Sequence, residues 1–511
     1  MRSDNPSKQI RIGAILSYAN VLLGNLIPLF YTPVMLSLMG QAEYGLYKMG
    51  ASATSYISLT TLGLASAVNR FLIKERTQGG QEAEENTFGL FYVIFQIVAA
   101  AALVLGLIIS ANIGIVYGST LNSVELRRIK IVIAVLALNM ALGFSATPYT
   151  SIVTAHERFI FIQAINILST VGGPVINLIL LHMGYRSIGM AMAALGLNVV
   201  VRAAYILYVS RSMKVFPRFR SLPTKMLRDI FSFSVWIFVS DIVGRIYDST
   251  DIVIIGATPG YGANSVAVYS IGFIFPTILL SLAQVMPVLF NPTINKMVFT
   301  DRSDRELSDM IIRVGRIQAF VVVLICSGFI AFGRPFIEFY AGPAFKEAYW
   351  VAVIIMLPDC IPLVQSAAHS LIRAKNMHRF RSMVYTLIAL INVALTILLV
   401  KKLGIIGAAI PTGGAYLLGN GLLMNWYYWK KVHIDIPRFW RSVLPVFAVG
   451  ALMAALMVFV AKWIDFYVFW HMLAGILVYT AVYVMILWVF VFDTNEKAVI
   501  LETLRRSGTK D

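Results

Sequence analysis

The stretch TDIVIIGATPGYGANSVAVYSIGF (250–273) contains two apolar runs joined by a short turn that is rich in Gly and Pro. Gly and Pro in such a turn are typical of helix ends. Both runs continue into longer apolar segments, and a helix needs about 20 apolar residues to cross a bilayer. The stretch therefore predicts a hairpin of two membrane-spanning helices.

The composition of the whole chain agrees with this prediction. Of its 511 residues, 59% are hydrophobic and 13% are charged, whereas soluble domains carry about 25% charged residues. The apolar segments are too long for the strands of a membrane barrel, which have about ten residues of alternating polarity. We expect an all-α, polytopic membrane protein.

Fourteen segments are long and apolar enough to be membrane-spanning helices. The connecting loops are short, and none has room for a soluble enzymatic domain. The candidate spans are 12–39, 49–73, 87–110, 130–152, 159–181, 187–209, 229–256, 263–295, 317–333, 347–372, 382–400, 405–428, 443–461 and 467–492.

The order of the spans predicts two six-helix lobes followed by a terminal pair of helices. A weak internal repeat favours this division, because 38–59 and 254–282 share the order apolar span, glycine-containing turn and Tyr at the next span. Such repeats are common in transporters. The predicted parts are 1–210 (N-terminal lobe, helices 1–6), 211–228 (basic cytoplasmic linker), 229–430 (C-terminal lobe, helices 7–12) and 431–511 (helices 13–14 and cytoplasmic tail).

The basic residues predict the orientation. If the N-terminus is cytoplasmic, 30 of the 42 Lys and Arg residues lie in cytoplasmic loops or, like Arg70, at the cytoplasmic end of a span, as the positive-inside rule requires. Both termini are then cytoplasmic. The net charge of +17 is explained by topology and by contacts with anionic membrane lipids, and we expect no nucleic-acid partner.

Several charges interrupt the seventh span. Asp241, Arg245 and Asp248 are spaced i, i+4 and i+7, which places them on one face of a helix. Asp241 and Arg245 can form an ion pair, and such a pair could simply join this helix to a neighbour. One Arg does not neutralise three carboxylates, however. We therefore treat Asp241, Asp248 and, less centrally, Asp251 as candidate cavity charges or ligands of a coupling ion.

A second intramembrane carboxylate is Asp359, between Pro358 and Pro362 in the tenth span. Proline in a membrane helix frees backbone carbonyls that must find other partners. A site for a coupling Na⁺ or H⁺ is one interpretation, and a capped helix kink is the other. We expect no other cofactor.

The remaining chemistry-bearing residues form no catalytic or metal-binding pattern. Cys326 and Cys360 fall inside predicted spans and have the character of small buried apolar residues. The six His are scattered, and the chain contains no nucleophile elbow and no nucleotide-binding loop. We expect a protein that is not an enzyme, with no catalytic residue and no metal site.

Three stretches resemble the polysaccharide transporter (Wzx-type flippase) branch of the multidrug/oligosaccharidyl-lipid/polysaccharide exporter superfamily. They are GQAEYGLY (40–47), GLASAVNRF (63–71) and the opening stretch, 250–273. The resemblance implies a flippase that moves undecaprenyl-diphosphate-linked oligosaccharide from the inner to the outer leaflet by alternating access of the two lobes, for surface polysaccharide synthesis.

The resemblance also implies a V-shaped cavity between the lobes and particular site residues. Cationic side chains near the lipid diphosphate would be Arg70, Arg202 and Arg245, since Arg binds phosphate through paired donors. Arg70 and Arg202 also lie near enough to span ends to snorkel towards water. Groups facing the sugar would be Tyr18, Asn20, Asn25, Tyr31 and Tyr247.

The resemblance further implies a bacterial inner-membrane location and partners from the same pathway. The partners are the polyprenyl-diphosphate-linked glycan, membrane lipids, and the polymerase and glycosyltransferases that act on the glycan. Two alternatives stay open. A lipid II flippase shares the fold and a diphosphate lipid, and an ion-coupled drug exporter would use the acidic residues of the C-terminal lobe.

Overall fold

The computed structural model describes residues 6–377, 379–493 and 497 of the chain. All the secondary structure in this part is helical, which confirms the all-α prediction. Eleven of the described helices are long and apolar enough to cross a membrane, or twelve if a bent pair counts as one span. The segment Gln41–Tyr117 contains a break at Gly80 and is therefore long enough to cross the membrane twice. The shorter helical pieces within 406–430 are contiguous and together have the length of one more crossing. The described helices thus fit fourteen crossings.

The chain divides into two compact units. The first contains residues 1–270 and 397–405, and the second contains 271–396 and 406–511. The division by compactness places the seventh span in the first unit. The lobe boundary at 211–228 therefore stays a prediction.

The first unit is built from seven helices and the beginning of an eighth. A 3₁₀ turn at Tyr56–Thr61 follows the second helix, and a π-helical turn at Tyr208–Met213 follows the sixth. The helices are α1 (Pro6–Met39), α2 (Gln41–Ser55), α3 (Leu64–Tyr117), α4 (Ser123–Ala155), α5 (Phe159–His182), α6 (Arg186–Leu207), α7 (Leu227–Ala257) and α8 (Ala263–Ala283).

The second unit continues from α8. A π-helical segment, Leu417–Met424, interrupts one of its spans, and α11 and α12 are bent by 46° at their junction. Its other helices are α9 (Val285–Phe299), α10 (Asp304–Ala341), α11 (Ala348–Val364), α12 (Ser366–Ala374), α13 (Arg379–Leu403), α14 (Ile406–Tyr416), α15 (Asn425–Lys430), α16 (Ile436–Val460) and α17 (Phe469–Ile486).

The predicted start of the second span is eight residues too late. The helical structure begins at Gln41, directly after Gly40, whose φ is 85°. A residue without a Cβ adopts this backbone conformation without strain, so the chain turns at Gly40 and enters α2 at once. As a consequence, residues 41–48, which we assigned to a loop, belong to a helix.

Two of the stretches that carry the family resemblance contact each other. α7 and α8 form the predicted hairpin, with Gly260 at φ 88° in the turn. Gly45 of α2 packs against the start of α8, where a Cβ on Gly45 would lie 1.7 Å from the carbonyl oxygen of Ala263. The side chain of Gln41 also donates a hydrogen bond to the carbonyl oxygen of Asn264, at 3.2 Å. Close backbone packing of α2 on α8 therefore requires glycine at position 45.

This contact yields a test of the fold. We expect Gly45→Ala to reduce the free energy of unfolding by about 1–3 kcal/mol, because the added methyl group forces α2 away from α8. Gly24→Ala is the matched control, since no atom lies within 4 Å of a Cβ built on Gly24 in α1. Thermal unfolding of both variants in detergent measures the difference. Equal melting temperatures for the two variants would contradict the packing described here.

Candidate functional site

The predicted charges of α7 differ in their surroundings. The side chain of Asp241 is exposed and that of Arg245 is half-buried. Neither has an ion-pair or hydrogen-bond partner among the described residues, so the expected Asp241–Arg245 pair is not formed. The side chain of Asp248 lies outside the described part of the structure.

The following residues of α7 form a line of hydrogen bonds to the second helix, which we call the α2–α7 seam. The hydroxyl of Ser52 donates to the carbonyl oxygen of Ser249 at 2.7 Å, and the hydroxyl of Ser55 donates to the Ser249 hydroxyl at 2.8 Å. Tyr56 lies in the 3₁₀ turn that directly follows α2, and its hydroxyl is 2.7 Å from that of Thr250. Hydrogen bonds between membrane helices contribute about 0.6–2 kcal/mol each. The seam therefore fixes the second half of α7 within the first unit.

Asp251 is buried, with 6% of its surface exposed. Its carboxylate accepts a hydrogen bond of 2.5 Å from the hydroxyl of Tyr269, which is itself buried in α8. The pair joins the two helices of the hairpin. Its predicted role as a cavity charge stays a prediction.

Two further candidate cations lie on other helices of the first unit. Arg70 of α3 is exposed, and the centre of its guanidinium lies 4.6 Å from the ring centroid of Phe233 in α7. Arg202 of α6 is half-buried and interacts electrostatically with Tyr149 of α4. Among the described residues, neither arginine has an acidic partner.

The structure adds a cation that the sequence reasoning missed. Lys48 is the eighth residue of α2 and therefore lies about 10 Å along the helix from its start. Its ammonium nitrogen is 5.3 Å from the ring centroid of Tyr44, and the described part of the chain provides no carboxylate for it. Had the start of α2 been predicted at Gln41, Lys48 would have been recognised as an intramembrane charge.

Two of the five polar residues predicted to face a sugar form hydrogen bonds within the first unit. Asn20 accepts a 2.8 Å hydrogen bond from the hydroxyl of Thr170, and Asn25 donates to the carbonyl oxygen of Val21, also at 2.8 Å. Tyr18 is 62% exposed. The two other predicted residues, Tyr31 and Tyr247, are half-buried.

In the second unit, Asp359 is 6% exposed on α11. Its carboxylate has no hydrogen-bond or ion-pair partner in the described part of the structure. The helix at this point packs closely on α14, where a Cβ on Gly413 would lie 3.4 Å from the ring of Pro358. A buried carboxylate without a partner is costly in its charged form, so its surroundings suit a proton or a cation.

A buried carboxylate also lies at the start of α2. Glu43 is 5% exposed, forms an ion pair with Arg128 of α4, and accepts a 2.5 Å hydrogen bond from the hydroxyl of Ser187 in α6. Two cavities of about 460 and 410 Å³ adjoin it, and both are lined by Glu43, Arg128 and Arg186. Glu43 thus connects three helices at one end of the first unit.

Two more buried carboxylates lie just after the break of α3 at Gly80. Glu84 contacts the ring of His156 at 2.9 Å. Glu85 is 5% exposed at its side chain and binds the guanidinium of Arg218 at 2.6 Å, while its backbone oxygen accepts from the amide of Arg218 at 3.0 Å. Part of the basic segment 211–228 is therefore attached to α3, in addition to the topological role that its charge predicts.

Comparisons with known proteins place the chain in a family. Residues 11–298 match the family described as "Polysaccharide biosynthesis protein", which is more than half of the chain. The "Uncharacterized membrane protein EpsK" of Bacillus subtilis (strain 168) is 23% identical over 425 residues, covering 80% of each chain. These matches confirm the family resemblance seen in the sequence.

Similar solved structures have the same fold. The structure titled "Lipid II flippase MurJ, inward closed conformation" has a TM-score of 0.67 and 15% identity, covering 93% of this chain and 98% of its own. A multidrug resistance MATE family transporter of the MOP superfamily, in an inward-facing conformation, has a TM-score of 0.57 and 14% identity, covering 84% and 98%. The protein is a multi-pass membrane protein with this transporter fold.

The attachment of Arg218 yields a prediction with an internal control. Glu82 and Glu85 both bind Arg218, but the side chain of Glu82 is 77% exposed. We expect Glu85→Gln to reduce the free energy of unfolding by about 1.5–3 kcal/mol, because it weakens a buried, charge-assisted contact. Glu82→Gln is expected to cost about 0.2–1 kcal/mol, as for other exposed pairs. Chemical unfolding in detergent measures both, and equal effects would show that burial does not determine the strength of this contact.

Proposed function

We propose that this chain, a member of the polysaccharide biosynthesis protein family, is a flippase for undecaprenyl-diphosphate-linked oligosaccharide. It moves the repeat unit from the inner to the outer leaflet of the bacterial inner membrane by alternating access, for the synthesis of a surface polysaccharide. Both termini lie in the cytoplasm. The substrate is transported and not chemically changed, so the proposal assigns no catalytic residue.

One observation carries the proposal: four cations on the helices of the first unit have no carboxylate counterion among the described residues. Lys48, Arg70, Arg202 and Arg245 lie on four different helices, and none of them has a carboxylate partner among the described residues. A positive charge at the centre of a membrane helix costs about 2.5–3.5 kcal/mol on insertion scales. A chain that keeps several such charges unpaired is suited to an anionic ligand, and a lipid diphosphate is an anion that reaches membrane depth.

The chemistry of the side chains agrees with a diphosphate. Guanidinium groups bind phosphate oxygens through two parallel hydrogen bonds, whereas an ammonium group acts as a point charge. Half-burial of Arg202 and Arg245 lowers the local dielectric constant and strengthens such contacts. A cationic drug, by contrast, would be repelled by these four side chains.

In the proposal, Asp359 binds the coupling ion in the second unit. Its buried carboxylate, without a described partner, suits H⁺ or Na⁺. Asp241, Asp248 and Asp251 complete the cavity charges, and Tyr18, Asn20, Asn25, Tyr31 and Tyr247 contribute polar contacts to the sugar. The glycosyltransferases that build the glycan and the polymerase that consumes it are the functional partners.

The assignment of the cations is tested in cells that make the surface polysaccharide. We expect Arg245→Ala to cause accumulation of lipid-linked oligosaccharide in the inner leaflet and loss of at least nine-tenths of the surface polymer, because diphosphate binding is weakened. Lys48→Met should also cause accumulation of lipid-linked oligosaccharide and reduce the surface polymer. Gly244→Ala, next to Arg245 on α7 and with free space around its Cβ, is the matched control and should behave as the wild type.

Further variants distinguish phosphate recognition from charge balance. Arg245→Lys and Arg202→Lys should also reduce the polymer if the paired donors of Arg are required, and should be nearly harmless if the charge alone matters. Normal surface polymer in Arg245→Ala, at wild-type protein levels, would contradict the site. A defect in peptidoglycan instead of surface polymer would favour a lipid II flippase, and altered drug susceptibility alone would favour an exporter.

A further inference from the structure

The two cysteines of the chain lie side by side in the second unit. Cys326 is in α10 and Cys360 is in α11, and they are 34 residues apart in sequence. Their sulfur atoms are separated by 3.1 Å. The chain contains no other cysteine, so the only two thiols in 511 residues are in contact.

The contact is closer than packing of small apolar residues requires. Cys326 is 5% exposed and Cys360 is 1% exposed, so both are surrounded by protein. Cys360 also donates a hydrogen bond to the carbonyl oxygen of Met356, at 3.3 Å. A disulfide has a sulfur–sulfur distance of about 2.0 Å, which the pair reaches if the sulfur atoms approach by about 1 Å.

We propose that Cys326 and Cys360 are an oxidation site, at which a disulfide joins α10 to α11 inside the membrane-spanning part of the second unit. The inference goes beyond the proposed function and does not depend on it. The oxidant is a small uncharged peroxide, such as hydrogen peroxide, which reaches buried side chains that redox proteins do not reach.

The reaction balances in two steps. The sulfur of one thiol attacks a peroxide oxygen, which gives a sulfenic acid and one molecule of water. The second thiol sulfur then attacks the sulfenic sulfur, which forms the sulfur–sulfur bond and releases a second molecule of water. Two S–H bonds are lost, the two sulfurs are oxidised, and the peroxide is reduced to two molecules of water.

Burial limits which reagents reach the pair. A redox protein does not reach thiols that are 5% and 1% exposed, so the disulfide persists once it has formed. It closes a loop that spans 34 positions, which restricts the unfolded chain and stabilises the folded unit.

The test counts thiols in the purified full-length protein. After reduction, denaturation and labelling with a polymer-bearing maleimide, the wild type should carry two labels. After treatment of the folded protein with hydrogen peroxide, we expect no label, a mass lower by two hydrogen atoms, full recovery of both labels with dithiothreitol, and a melting temperature raised by a few degrees. The variants C326A and C360A stop at the sulfenic acid because the second thiol is absent, so they should show neither the mass loss of two hydrogen atoms nor a rise in melting temperature.

Three results would overturn the proposal. The first is that the wild type keeps two free thiols after peroxide treatment. The positive control is the exposed cysteine of the variant Glu306→Cys, which the same treatment must oxidise. The second is loss of labelling that dithiothreitol does not reverse, which indicates sulfinic or sulfonic acids. The third is an equal rise in melting temperature in the single variants, which indicates that a disulfide between the two cysteines is not its cause. If either alanine variant fails to fold, Cys326→Ser and Cys360→Ser provide the same controls.

Discussion

The constraint on which the rest of the structure depends is the cost of charge in an apolar environment. A membrane interior provides no water to stabilise a charged side chain, so each charge must find a partner or face a ligand or a wet cavity. Most carboxylates buried in the first unit have a partner within the protein. Glu43 pairs with Arg128, Glu85 pairs with Arg218, and Asp251 accepts a hydrogen bond from Tyr269. The cations without a described carboxylate partner are exceptions, and we propose that they bind an anionic ligand.

The helices and their order could be predicted from sequence because length and hydropathy alone determine them in a bilayer. Every backbone polar group must be satisfied within its own segment, so each long apolar run becomes a helix. The same argument does not give exact boundaries. α1 ends directly before Gly40 and α2 begins directly after it. Because the start of α2 was predicted too late, Lys48 was assigned to a loop.

The contacts between helices could not be predicted, since they depend on which faces meet. Asp241 and Arg245 have the spacing of an ion pair and do not form one, whereas Asp251 pairs with Tyr269, 18 residues away. Cys326 and Cys360 give no signal in sequence, because apolar spans often contain isolated cysteines. The three arginines were found by their type and position, and their lack of carboxylate partners became visible only in the structure.

The most direct test of the central claim is transport by the purified protein. Liposomes containing the protein and a short-chain polyprenyl-diphosphate oligosaccharide, placed in the inner leaflet, are treated with a lectin that does not cross the membrane. If the chain is a flippase, the fraction of glycan bound by the lectin rises well above that in protein-free liposomes, and free diphosphate reduces the rise. Equal binding with and without the protein, under conditions in which the protein is folded and inserted, would contradict it.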